Sequence, residues 1–117
     1  MAKYEVVAVN RVTGQEIRKG FDSAPSSERI ACWLERRGSI GGTRHVNQWV
    51  AARYFPSKKG WMILDYEHAV PRPLRSRPGI TVWAQINRGK KIYPSEAAAL
   101  MKISYLLAMP EQLKLIL

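Results

Sequence analysis

A single α+β domain follows from three features of the sequence. Short β-branched runs separated by Gly, Pro and Asn clusters read as hairpin strands, so the sheet is mostly antiparallel. Two segments, near 25–37 and 95–108, combine helix-start residues with apolar positions at helical spacing. The 117 residues suffice for one domain, and 46% hydrophobic with 24% charged residues fits a folded globule. The expected order is β-β-α-β-β-β-β-α, with four Trp, five Tyr and two Phe as large core side chains.

Residues 3–10 alternate well enough for a strand, with Tyr4, Val6 and Ala8 on one side and Glu5, Val7 and Val9 on the other. A turn at 11–14, with Gly14 free to take positive φ, returns the chain as a shorter polar strand over 15–19. The cluster at 22–29 opens a helix: Pro25 suits the first turn, and Glu28 lies near the positive end of the dipole. Ile30, Ala31, Trp33 and Leu34 form its apolar stripe, and Gly38 ends it. Residues 39–43 are a linker; Gly41-Gly42 lacks the Lys-Ser or Lys-Thr of a phosphate-binding loop.

Residues 46–55 and 61–68 read as a central hairpin around a five-residue turn that puts Lys58 and Lys59 in solvent. Residues 69–79 are an Arg/Pro-rich arm or loop, because Pro71, Pro73 and Pro78 forbid a helix and hold the backbone extended or turned. A strand over 80–86 follows, with Ile80, Val82, Ala84 and Ile86 inward and Trp83 outward beside arginines. A tight turn at 87–90 leads to a short return over 91–93. Ser95 caps the second helix, whose apolar surface is interrupted only by Lys102 and Ser104 before Pro110 breaks it. Such a helix is deeply packed or covered by a second subunit, and the apolar tail at 109–117 folds back or joins the same homodimer through 95–117.

The formal net charge is +10 with a pI near 10.2, and its distribution is regional. Twelve of the nineteen Lys and Arg fall within 36–95, against two of the nine acids, Asp65 and Glu67. Such an excess favours nucleic acid, an anionic membrane or an acidic protein as partner. No apolar stretch is long enough to cross a bilayer, and the charged N-terminal run does not read as a signal peptide. Cys32 is the single cysteine, which excludes an internal disulfide and points to a reducing, cytoplasmic compartment.

The run Arg-Pro-Leu-Arg-Ser-Arg-Pro at 72–78 resembles minor-groove arms, in which Arg and Pro alternate in extended backbone. It lacks the Arg-Gly-Arg-Pro core of the AT-hook, since Ser76 stands where the glycine belongs. The expected function is non-enzymatic nucleic-acid binding, duplex DNA ahead of RNA. Arg72, Arg75 and Arg77 would grip backbone or a narrow groove. Lys58, Lys59, Arg88, Lys90 and Lys91 would reach phosphates from hairpin tips, with Arg53 nearby. Trp83, Tyr93 and Trp61 can stack on bases if exposed.

Two other classes compete. A small basic protein of this type can act as a phage-type or mobile-element inhibitor of a host protein or nucleoprotein complex. Asp65 and Glu67, two apart on one strand, can also hold a divalent metal for phosphodiester cleavage, although no lysine lies in register with them. His45, His68 and Cys32 do not fill a structural zinc site by themselves, and the sequence calls for no cofactor. No Gly-x-Ser-x-Gly, His-Glu-x-x-His or dinucleotide glycine pattern occurs.

Overall fold

The computed structural model describes residues 4–38 and 46–108; the linker expected at 39–43, His45 and the tail at 109–117 lie outside the described residues. The chain runs β1 (Tyr4–Asn10), β2 (Glu16–Phe21), α1 (Ser27–Gly38), β3 (Trp49–Phe55) and β4 (Gly60–Asp65). It continues through β5 (Val70–Leu74), β6 (Arg77–Ala84), β7 (Asn87–Arg88) and α2 (Glu96–Ala108). The α+β architecture and element order match the sequence expectation. Five strands make one antiparallel sheet in the order β2-β1-β3-β4-β7, and β5 and β6 form a separate two-stranded sheet.

The local chemistry of the elements is visible in their ends. Asn10 Oδ1 accepts the backbone N–H groups of Val12 and Thr13, which bends the chain into the first turn, and Gly14 completes it at φ 76°. Ser26 caps α1, accepting the Arg29 N–H at 3.1 Å, so Pro25 precedes the helix instead of lying in its first turn. Ser95 caps α2 in the same way, accepting the Ala98 N–H at 3.1 Å.

The main sheet is buried on both faces. On one, Ile30, Ala31 and Leu34 of α1 meet Val6, Ala8, Trp49, Ala51, Leu64 and Tyr66. On the other, Ala99 and Ile103 of α2 meet Val7, Val50, Ala52, Trp61 and Ile63. Strand alternation sends neighbouring residues of β1, β3 and β4 into opposite cores, which is why these strands read as near-continuous apolar runs. Each large aliphatic or aromatic side chain buried this way contributes about 1.5–3 kcal/mol. The polar edge strand β2 is tied to α2 by Arg18, whose guanidinium lies 2.7 Å from Glu96; the hydrogen bond to Glu96 raises the Arg18 pKa.

Tyr66, the residue after β4, reaches α1 through its hydroxyl, which donates to the Ser27 carbonyl at 2.9 Å. Burial pushes its pKa well above the ordinary tyrosine value, and Glu28 adds to the rise. Asn47 Nδ2 donates to the carbonyls of Tyr66, Glu67 and Ala69 at 3.0, 3.1 and 2.8 Å. This amide fixes the turn from which the β5–β6 hairpin departs.

The segment after β4 departs from the sequence reading. Residues 69–79 are not an unpaired arm: Val70–Leu74 pairs with β6, and the hairpin turns at Arg75 and Ser76. Pro71 and Pro73 have the same parity, so their missing N–H groups fall on one edge of the strand and leave the other edge free to bond. The strand expected over 80–86 begins earlier, at Arg77, and its partner is β5, not 91–93. Gln85, at φ 60°, turns the chain out of β6 and delivers Asn87 and Arg88 to the edge of β4.

Candidate nucleic-acid interface

The β5–β6 hairpin is an exposed basic feature of the described residues. Arg72, Arg75, Arg77, Pro71, Pro73 and Ile80 are all exposed, and no described carboxylate pairs with the three arginines. The root of the hairpin is fixed. Trp83 is buried against α1, and its indole N–H donates to Glu35 Oε2 at 3.2 Å. The expectation that Trp83 faces outward is therefore corrected. Its large apolar area outweighs that of Ile80, which is left 43% exposed.

A second basic group lies along the β4/β7 edge. Leu64 pairs with Arg88 and Asp65 with Asn87, and the Gly89 N–H then donates to the Ile63 carbonyl at 2.8 Å. Trp61 and Tyr93 exchange two backbone hydrogen bonds of 2.8 Å. Lys90, Lys91 and Ile92 thus span the gap opposite the single residue Met62, and the excess chain bulges off the sheet. Both lysines are exposed on this bulge, and the Lys91 ammonium lies 5.2 Å from the Tyr93 ring centre. Lys102 of α2 lines the same groove as Lys90, Lys91 and Tyr93. Sequence reasoning noted Lys102 only as an interruption of an apolar helix, although that interruption was the available signal.

The remaining expected contacts divide. Lys58 and Lys59 are exposed on the β3–β4 turn, at the end of β4 opposite the hairpin root. Arg88 is exposed but turned toward α1, donating to Ser27 Oγ and lying 3.7 Å from Glu28. Arg53 is corrected: it is 9% exposed, with its guanidinium 3.9 Å from the Phe55 ring centre and 5.7 Å from that of Tyr4. Burial draws its pKa down, with Tyr4 acting in the opposite sense. It is a packed cation, not a surface ligand for phosphate. Trp61 is likewise buried, and Tyr93 is half-buried with its pKa raised by burial.

Asp65 and Glu67 converge on one internal guanidinium. Arg11 Nη2 lies 2.7 Å from Asp65 Oδ1, and Nη1 lies 3.0 Å from Glu67 Oε2. Asp65 Oδ1 also accepts the Glu67 N–H at 2.9 Å. Arg11 already pairs with both carboxylates, so a metal ion there would have to displace it. No group of three or more metal-ligating side chains occurs among the described residues. No described helix is long and apolar enough to cross a membrane. No protein-family model, curated protein or solved structure matches this chain.

Proposed function

We propose that this chain is a non-enzymatic nucleic-acid-binding protein that grips duplex DNA with the β5–β6 hairpin. The observation that carries the reading is the set Arg72, Arg75 and Arg77, exposed on a projecting hairpin and without carboxylate partners among the described residues. Paired strands and prolines hold the hairpin extended before it meets its partner, which lowers the ordering cost of binding. Lys90 and Lys91 add phosphate contacts along the β4/β7 edge, and Lys58 and Lys59 can reach phosphate only from the β3–β4 turn at the far end of β4, while Arg53 and Trp83 serve the core. The single Cys32 suits action in the reducing cytoplasm.

A mobility shift on mixed-sequence duplex at two salt concentrations tests the reading. Arg75→Ala with Arg77→Ala should weaken binding across all sequences and lower the salt slope by about 1.8, two lost phosphate contacts at about 0.9 each. Unchanged affinity at both salts removes the hairpin from the account. Capture of an acidic protein from nuclease-treated lysate, with no shift of DNA, would favour the inhibitor class instead.

A homodimer belongs to the same proposal. Met101 and Tyr105 are 74% and 55% exposed on α2, and the helix leads into the apolar residues 109–117. A second copy would cover this face. A monomer mass by light scattering at micromolar concentration would remove the dimer and leave the hairpin reading intact.

A further inference from the structure

We propose that the groove between the 89–93 bulge and α2 binds one nucleoside phosphate unit, with the base against its apolar lining and the phosphate among Lys90, Lys91 and Lys102. The groove has a volume of about 390 Å³, a size suited to a small ligand. Ile63 and Leu106 give it an aliphatic lining and Tyr93 adds an aromatic ring. Its three lysines come from two separate elements, and no carboxylate among the described residues lines it. A flat apolar body carrying a compact anion matches this distribution, whereas a bare phosphate would leave the apolar lining unused.

The bulge holds the backbone of Lys90 and Lys91 in place. It is pinned on one side by Gly89 to Ile63 and on the other by the double hydrogen bond between Trp61 and Tyr93. A side chain at Gly89 would approach the Ile63 carbonyl to 3.3 Å, so glycine lets the bulge start this close to β4. The ammonium groups of Lys91 and Lys102 lie over Tyr93 and Tyr105 at 5.2 and 5.1 Å. Exposed cation–π contacts of this kind are weak and readily exchanged for a phosphate.

The same chemistry occurs in a free mononucleotide and in an unpaired nucleotide of a strand. The second source rests on the nucleic-acid reading above; the first does not. The test is a backbone-amide NMR titration of the full chain with thymidine 5′-phosphate, inorganic phosphate and a short oligothymidylate. Saturable shifts confined to residues 89–93 and 102–106 are expected. Affinity should be at least about tenfold higher for the nucleotide-bearing probes than for inorganic phosphate. Response to the mononucleotide assigns a free ligand, and response to the strand alone assigns an unpaired nucleotide.

Lys90→Ala with Lys102→Ala should weaken the nucleotide response roughly tenfold and lower the oligothymidylate salt slope by about 1.4. The thermal midpoint should stay unchanged, because no described carboxylate pairs with either lysine. Equal affinity for inorganic phosphate, shifts elsewhere, or an unaffected double variant overturns the proposal. Duplex binding by the Arg75/Arg77 variant is read separately, so failure of the hairpin and failure of the groove are distinguishable.

Discussion

Trp83 donates its indole N–H to Glu35 Oε2 across 3.2 Å, joining the projecting β5–β6 hairpin to α1. The ring is buried in the core that α1 shares with the main sheet, so the bond lies at the root of the hairpin while the arginines stand beyond it. Trp83→Phe keeps most of the apolar area and loses the bond, at a cost of about 1 kcal/mol. Trp83→Ala opens a cavity and should cost about 3–5 kcal/mol. Chemical denaturation checks both values. Amide exchange should show the β5–β6 ladder losing protection first in the alanine variant; uniform loss would separate the hairpin from its anchor.

Tyr66 makes stability fall in alkali. Its pKa in the fold lies above its unfolded value near 10 because burial disfavours the phenolate. Below pH 10 both states keep the proton, and the contribution is fully present. As pH rises above about 10 the unfolded chain ionises first, so the unfolded state binds fewer protons and stability declines. Tyr66→Phe should lower stability at pH 7 by about 1 kcal/mol through loss of the bond to Ser27 and flatten the decline above pH 10. Urea denaturation at intervals from pH 8 to 11 distinguishes this from parallel curves, which would assign the alkaline loss to other groups.

Gly60 controls the position of the lysine bulge. A Cβ there would collide with Ile92 Cγ2 and come within 2.8 Å of the Tyr93 carbonyl. Gly60→Ala should cost about 1–3 kcal/mol and push residues 90–93 away from β4. The expected readout is loss of exchange protection at the Trp61 and Tyr93 amides, which donate to each other's carbonyls. Retained protection at both amides would show that Ile92 moves aside without shifting the bulge.

Local chemistry made much of the fold legible. Ser95 capped its helix as expected, and Ile30, Ala31 and Leu34 marked the buried stripe of α1. The β3–β4 hairpin followed from its two apolar strands and the turn between them. The β5–β6 pairing was hidden because proline argues against a strand unless its missing donors all face one edge, and edge position is set by tertiary structure. Trp83 was assigned to the wrong face because alternation gives two faces but not which one α1 will cover. Arg53 was legible as a cation. Its enclosure by Tyr4 and Phe55 depends on β1 lying beside β3, from residues far apart in the chain. The groove lined by Lys102 and the bulge required α2 to cross β4, which spacing alone does not encode.

The pairing of β1 with both β2 and β3 sets an order for biosynthesis. The β1–β2 hairpin can close soon after Phe21 leaves the ribosome, whereas the opposite border of β1 finds its mate only when residues as late as Arg53 have been made. In that interval the nascent chain displays an unfilled, valine-rich template, and a neighbouring polypeptide can dock on it. Yield during expression should therefore respond more to translation speed and chaperone supply than the finished protein's stability would suggest.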